Sequence, residues 1–157
     1  IFINLEDTGI LKKEDCVEAS LQIATALLLL FLEQGMQVAV YCNGVDVLRN
    51  EPCILEAGGG IRQREAVLRA FALIDTSKPV LSFSELFSSR LSEASGAIMT
   101  CIVSPNVYDD FASLILQYHA LHLDMKWFLP YSGTVPPEMD EELKSLITFI
   151  SLREESV

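Results

Sequence analysis

Ala97-Ile98-Met99-Thr100-Cys101-Ile102-Val103, followed at once by Ser104-Pro105-Asn106, is the stretch that decides the fold. It is apolar at every position except Thr100. A strand exposed on one face alternates polar and apolar residues, whereas a strand covered on both faces does not, and unbroken apolar runs belong to parallel sheets sandwiched between helices. Ser104-Pro105-Asn106 ends the run. Val107, Phe111, Leu114, Ile115, Tyr118 and Leu121 then recur at helical spacing, and Met125-Lys126-Trp127-Phe128-Leu129 reads as the next strand. A strand, a helix and a second buried strand make a crossover unit of fixed hand.

The same alternation extends in both directions. Ile1–Leu5 reads as a first buried strand. A long helix opens between Lys12 and Asp15, with Asp15 as its cap and Glu18 completing a capping box, and it stops at Gly35. Its run Ala26–Leu32 is shorter than the ~20 residues needed to span a bilayer, so a core helix buried on most of its surface is expected. Gln37–Cys42 is the second strand, Asn43-Gly44 a turn, and Val45–Leu48 with Cys53–Leu55 a hairpin or bent edge strand suited to Pro52. Gly58-Gly59-Gly60 is a loop, and Ile61 opens a helix carrying Val67, Leu68, Phe71 and Ile74, a unit that Pro79 ends. Ser84–Ala94 reads as one helix capped by Ser82 or Ser84. Pro130–Pro137 reads as a loop. A last helix from Glu138 places Met139, Leu143, Leu146, Ile147 and Ile150 on one face. The expectation is one α/β domain over residues 1–157, doubly wound, with a mainly parallel sheet and helices on both faces.

Composition limits the functions. The 157 residues are 50% hydrophobic and carry 22 acidic against 11 basic side chains, a net charge of −11. That balance opposes nucleic-acid binding and docking on anionic membranes, both of which need clustered Lys and Arg. Cys16, Cys42, Cys53 and Cys101 form no C-x-x-C pair, so buried reduced thiols are expected. The chain begins at Ile1 inside an apolar run, which suggests a piece of a longer protein.

In a doubly wound sheet, ligands bind beyond the carboxyl ends of the strands. Three segments are expected there: Asn4–Gly9, Gly58–Ile61 and Ser104–Asn106. They resemble the three loops of the metal-ion-dependent adhesion site of a von Willebrand factor A domain, with the ligands changed. In that site the first loop reads Asp-x-Ser-x-Ser, the second brings Thr after a Gly pair, and the third brings Asp. Here Asn4 and Glu6 stand at the Asp and first Ser positions, Thr8 at the second Ser, Gly60 after Gly59 where Thr belongs, and Ser104 where Asp belongs. Phe31-Leu32-Glu33-Gln34-Gly35, Val38–Tyr41 and Gly58-Gly59-Gly60-Ile61-Arg62-Gln63-Arg64 narrow the resemblance to the C-terminal portion of the bacterial family called domain of unknown function 58. The resemblance implies a cytosolic, von Willebrand A-like module of a membrane-anchored protein, the module itself outside the membrane, working with a MoxR-type AAA+ ATPase.

The expected function is therefore non-enzymatic protein binding through a degenerate site made of Asn4, Glu6, Asp7, Thr8, Gly59, Gly60 and Ser104, without a cofactor. The alternative is a Mg²⁺-dependent adhesion module using Glu6, Asp7 and Thr8, since Mg²⁺ takes hard oxygen ligands. A third reading is a nucleotide or phosphoester enzyme in which Gly58–Gly60 cradles phosphate beside Arg62 and Arg64, although no Lys-Ser/Thr follows as in a P-loop. His119 and His122 near Asp124 are a weaker metal candidate, their dipole-favoured place at a helix end being the plainer account. Ser104 lacks the G-x-S-x-G of a hydrolase nucleophile. Trp127 is assigned to the core, and Glu138, Asp140, Glu141 and Glu142 to a solvated first helical turn.

Overall fold

A computed structural model describes residues 1–6, 14–78, 80–121 and 123–152. Within them the elements run β1 (Phe2–Ile3), α1 (Glu14–Glu33), β2 (Val38–Val45), β3 (Pro52–Gly58), α2 (Gly60–Ala72), α3 (Phe83–Ser89), α4 (Leu91–Gly96), β4 (Thr100–Val103), α5 (Asp109–His119), β5 (Met125–Tyr131), α6 (Glu141–Lys144) and β6 (Ile147–Ser151). The strands form one sheet in the order β3-β2-β1-β4-β5-β6. Every pairing is parallel except β2 with β3. The chain winds outward from β1 through β2 to β3, then returns to the other side of β1 as β4. The strand order therefore reverses between β1 and β4, the place where such sheets bind ligands.

Alternation along the strands builds two cores. Phe2, Tyr41, Ile102 and Trp127 point to a face packed by α3, α5 and α6, where Phe2 and Phe87 ring centroids lie 4.5 Å apart and Phe111 meets Trp127 edge-on at 5.1 Å. Ile3, Val40, Cys42 and Val103 point to the other face, packed by Val17, Ala24 and Leu28 of α1 and Val67 of α2. The α/β class with helices on both faces follows from this pattern.

Several local expectations are corrected. Asn43-Gly44 is not a turn: both residues lie inside β2. Gly44 is required there by close packing, because a Cβ would stand 2.8 Å from Leu5 Cδ1 and 2.9 Å from Ile74 Cγ2. The chain reverses later, where Asp46 N–H donates to Glu51 O at 3.0 Å and Asn50 adopts a φ of 57°. β1 holds only Phe2 and Ile3, and β4 begins at Thr100, leaving Ile98 88% exposed. β1 pairs β4 only at Ile102 and Val103, so apolarity alone gives residues 97–99 no ladder to join.

The largest correction is at the C-terminal end. The expected long helix is the single turn α6, and Ile147–Ser151 is the sixth strand, paired with β5 from Trp127↔Ile147 to Tyr131↔Ser151. Leu143, Leu146, Ile147 and Ile150 fit a helical period, but Ile147 and Phe149 fit a strand period equally, and the open edge of β5 decides between them. Pro130 and Tyr131 belong to β5 rather than to a loop; Pro130 pairs Ile150 of β6 and lies past the last β4 pairing, Val103↔Phe128, so no β4 residue is opposite its missing N–H.

The helix expected over Ser84–Ala94 is two helices. It breaks at Arg90, whose guanidinium bonds Glu56 at 3.1 Å and Glu93 at 3.2 Å and lies 5.3 Å over the Tyr41 ring. Ser82 is the cap, accepting from Glu85 N–H at 3.3 Å. Asp15 lies inside α1 and does not cap it; Lys12 and Pro79 fall outside the described residues. α1 ends as expected, with Gly35 at φ 76° and Met36 N–H donating to Phe31 O at 3.0 Å. It is the one described helix long and apolar enough to cross a membrane. Its buried residues Cys16, Val17, Ala19, Ser20, Ala24 and Leu28 form one stripe, while Glu18, Gln22 and Leu30 are exposed, so it is not buried on most of its surface.

Candidate functional site at the carboxyl ends of the strands

Two of the parallel strands, β1 and β4, are followed directly by a small neutral polar residue. Asn4 follows β1 and Ser104 follows β4, and both continue the ladder: Asn4 N–H donates to Val103 O at 2.9 Å, and Ser104 N–H to Phe128 O at 3.1 Å. Asn43 lies toward the end of β2. All three are fully buried. Burying polar side chains without partners is expensive, so they must satisfy one another.

They form a lattice across the strand-order reversal. Asn4 Nδ2 donates to Ser104 Oγ at 3.1 Å, and Asn43 Nδ2 donates to Asn4 Oδ1 at 3.0 Å. Glu6 N–H also donates to Asn4 Oδ1, at 2.9 Å. Asn43 Oδ1 accepts from Leu5 N–H at 2.8 Å, while its Nδ2 also reaches Leu81 O at 3.0 Å. Ser104 Oγ accepts a second bond from Asn106 N–H at 3.1 Å, and Ser104 O accepts from Trp127 Nε1 at 3.0 Å. The half-buried Glu6 accepts from Phe83 N–H, at the start of α3, through Oε1 at 2.9 Å. The lattice thus ties residues 4–6 after β1, Asn43 within β2 and Ser104 after β4 to the segment Leu81–Phe83.

Among the described residues, this arrangement offers no open set of anionic oxygens to a Mg²⁺ ion. Magnesium needs several hard oxygens, usually including carboxylates. Here Asn4 Oδ1 and Ser104 Oγ are uncharged and each already accepts two hydrogen bonds, and the Glu6 carboxylate is engaged by a backbone amide.

Asn4, Glu6 and Ser104 are therefore gathered as expected, and Asp7 and Thr8 lie outside the described residues. Gly59 and Gly60 are not part of the rim. Gly58 pairs with Val38 at the start of β2, so the Gly-rich segment sits at the amino ends of the parallel strands. The antiparallel direction of β3 carries it there. A Cβ at Gly58 would displace the Gln63 side chain, whose Oε1 stands 2.6 Å away and whose Nε2 ties this connection to Val38 O at 2.7 Å and Glu56 O at 2.9 Å. Gly60 has a φ of 65°. The third member of the rim is instead Leu81-Ser82-Phe83.

Asn43 and Leu81–Phe83 were missed in the sequence as parts of the rim, whereas Asn106 falls in the expected segment Ser104–Asn106. A polar residue directly after a buried apolar run singles out Asn4 and Ser104, and the same signal marks Asn43 after Val38–Cys42. His119 closes α5 with a buried Nδ1 that finds no partner among the described residues; His122 lies outside them. Trp127 is buried, as expected, and all four cysteines are buried and unpaired.

Around the lattice the rim exposes apolar side chains among charged ones such as Arg49, Glu51 and Asp109. Val47 and Leu48 beyond β2, Leu81 before α3, Tyr108 before α5 and Val135 after β5 are all exposed, Leu48 at 76%. The opposite end holds a cavity of about 590 Å³, lined in part by Phe31, Met36, Ala39, Tyr41, Ile98 and Met99. Comparison with family models, with curated proteins and with solved structures returns no match.

Proposed function

We propose that this chain is a von Willebrand A-like protein-interaction module that binds its partner through the carboxyl-end rim without a metal ion. The observation that carries this reading is the neutral lattice of Asn4, Asn43 and Ser104. Its oxygens are occupied by hydrogen bonds at the point where a metal-dependent relative would keep anionic ligands, so its work is to hold the loops in register. The apolar side chains of Val47, Leu48, Leu81 and Tyr108 then supply contact area at one end, as the centre of a protein interface requires. The resemblance to domain of unknown function 58 makes a MoxR-type AAA+ ATPase the proposed partner, with the module on the cytosolic side of a membrane-anchored bacterial protein. The phosphate reading has less support, because the Gly-rich segment and its arginines lie at the end of the sheet remote from the lattice.

Binding of a purified MoxR-type ATPase, followed by interferometry, tests the surface. Leu48→Asp and Tyr108→Asp should each weaken binding at least about tenfold, while Ile98→Asp at the other end leaves it unchanged. Loss of binding in Ile98→Asp alone would overturn the assignment. A Mg²⁺ or Mn²⁺ titration followed by thermal unfolding tests the lattice: the native Tm should not move, whereas Asn4→Asp combined with Ser104→Asp should acquire a saturable metal response. A saturable rise in the native chain would defeat the metal-free reading.

A further inference from the structure

Cys42 and Cys53 are directly opposed partners in the antiparallel pairing of β2 with β3. Opposed residues in such a pair project to the same face, and both thiols belong to the same buried cluster. The Cα separation of an opposed antiparallel pair, about 4.5–5.5 Å, falls inside the range that a disulfide spans. Register shifts flank the pair on both sides, between Val38 and Val40 and between Cys42 and Val45, so this stretch of ladder has slack to adjust. Cys16 lies on α1 and Cys101 on β4, and neither is opposed to another cysteine.

We propose that Cys42 and Cys53 are a latent redox pair that a small-molecule disulfide converts into a cross-strand disulfide, locking the β2–β3 hairpin next to Asn43 of the rim. The Cys53 thiolate attacks one sulfur of the small disulfide and expels a thiolate. The Cys42 thiolate then attacks Cys53 Sγ of the mixed disulfide and expels the second. The two protein thiols lose two electrons and two protons, and two small thiols are formed. Burial holds both thiols in the protonated, unreactive form, so the reaction passes through opening of β3, which lies at the edge of the sheet. In the closed hairpin, Gly44 N–H faces Cys42 Sγ at 3.3 Å, and Asn43 is the neighbouring residue. The lock therefore acts on the strand that carries the central amide of the lattice. This inference stands whether or not the rim binds a protein.

Equilibration of the native chain with oxidised glutathione, followed by alkylation and peptide mass mapping, tests it. The expected product is one Cys42–Cys53 linkage, two hydrogens lighter, with Cys16 and Cys101 alkylated. The Tm should rise by about 5–10 °C, and exchange of the Leu5 amide that bonds Asn43 should slow. A parallel incubation in urea below the unfolding midpoint lets β3 open, so slow access cannot hide the reaction. Mixed disulfides alone, linkages to Cys16 or Cys101, or four free thiols under both conditions would overturn the proposal. The Cys16→Ser/Cys101→Ser variant should give the same linkage; if it does not fold, the native map still decides.

Discussion

The two ends of this sheet are closed in opposite ways. At the carboxyl ends, Asn4, Asn43 and Ser104 are fully buried and bonded to one another, and Asn43 also holds the backbone of Leu5 and Leu81. At the amino ends there is no such lattice among the described residues; a cavity of about 590 Å³ lies among Met36, Ile98 and Met99, which are exposed. The difference teaches where precision is located. A buried polar lattice has few alternative arrangements, because each broken bond leaves a desolvated group. Apolar contacts of flexible methionines tolerate rearrangement. Among the described residues, the carboxyl end is thus held by a buried polar lattice, and the amino end by apolar contacts and the bonds of Gln63 to Val38 O and Glu56 O.

The sharpest way to break the contrast is Asn43→Ala. It leaves Leu5 N–H, Asn4 Oδ1 and Leu81 O each short of a partner, and we expect a loss of about 3 kcal/mol in urea unfolding. A loss no larger than that of an exposed surface change would mean the lattice does not hold the rim.

A pH series probes the thiols beneath Asn43. Burial pushes Cys53 up to about 11 and Cys42 further in the same direction, against an ordinary thiol value of 9.0. Above pH 9 the unfolded chain therefore releases protons that the folded chain retains. Stability should fall as the pH rises from 9 toward 11, by about 1.4 kcal/mol per unit for each thiol, and should be insensitive to these groups below pH 8. Cys53→Ser should make that alkaline slope shallower in urea titrations.

Ser82→Ala removes the cap of α3 beside Glu6 and should cost about 1 kcal/mol by thermal unfolding. Ile98→Ala at the amino end should change stability by less than about 0.5 kcal/mol. If Ile98→Ala proved as harmful as Ser82→Ala, the amino end would be as tightly specified as the rim.

Much of this was legible in the chain itself. Unbroken apolar runs at Val38–Cys42 and Cys101–Val103, separated by helical periods, dictate a sheet covered on both faces, because no other arrangement buries both sides of such strands. Neutral residues at Asn4 and Ser104, the Gly35 helix stop and the Ser82 cap follow from the same local chemistry. Tertiary structure alone decided three things. Ile147–Ser151 became a strand because the open edge of β5 offered hydrogen bonds that no local period records. Asn43-Gly44 stayed in β2 because Leu5 and Ile74 close over the glycine. The Gly58–Gly60 segment went to the far end because β3 runs backwards, and a strand's direction is a property of its partner rather than of its own residues.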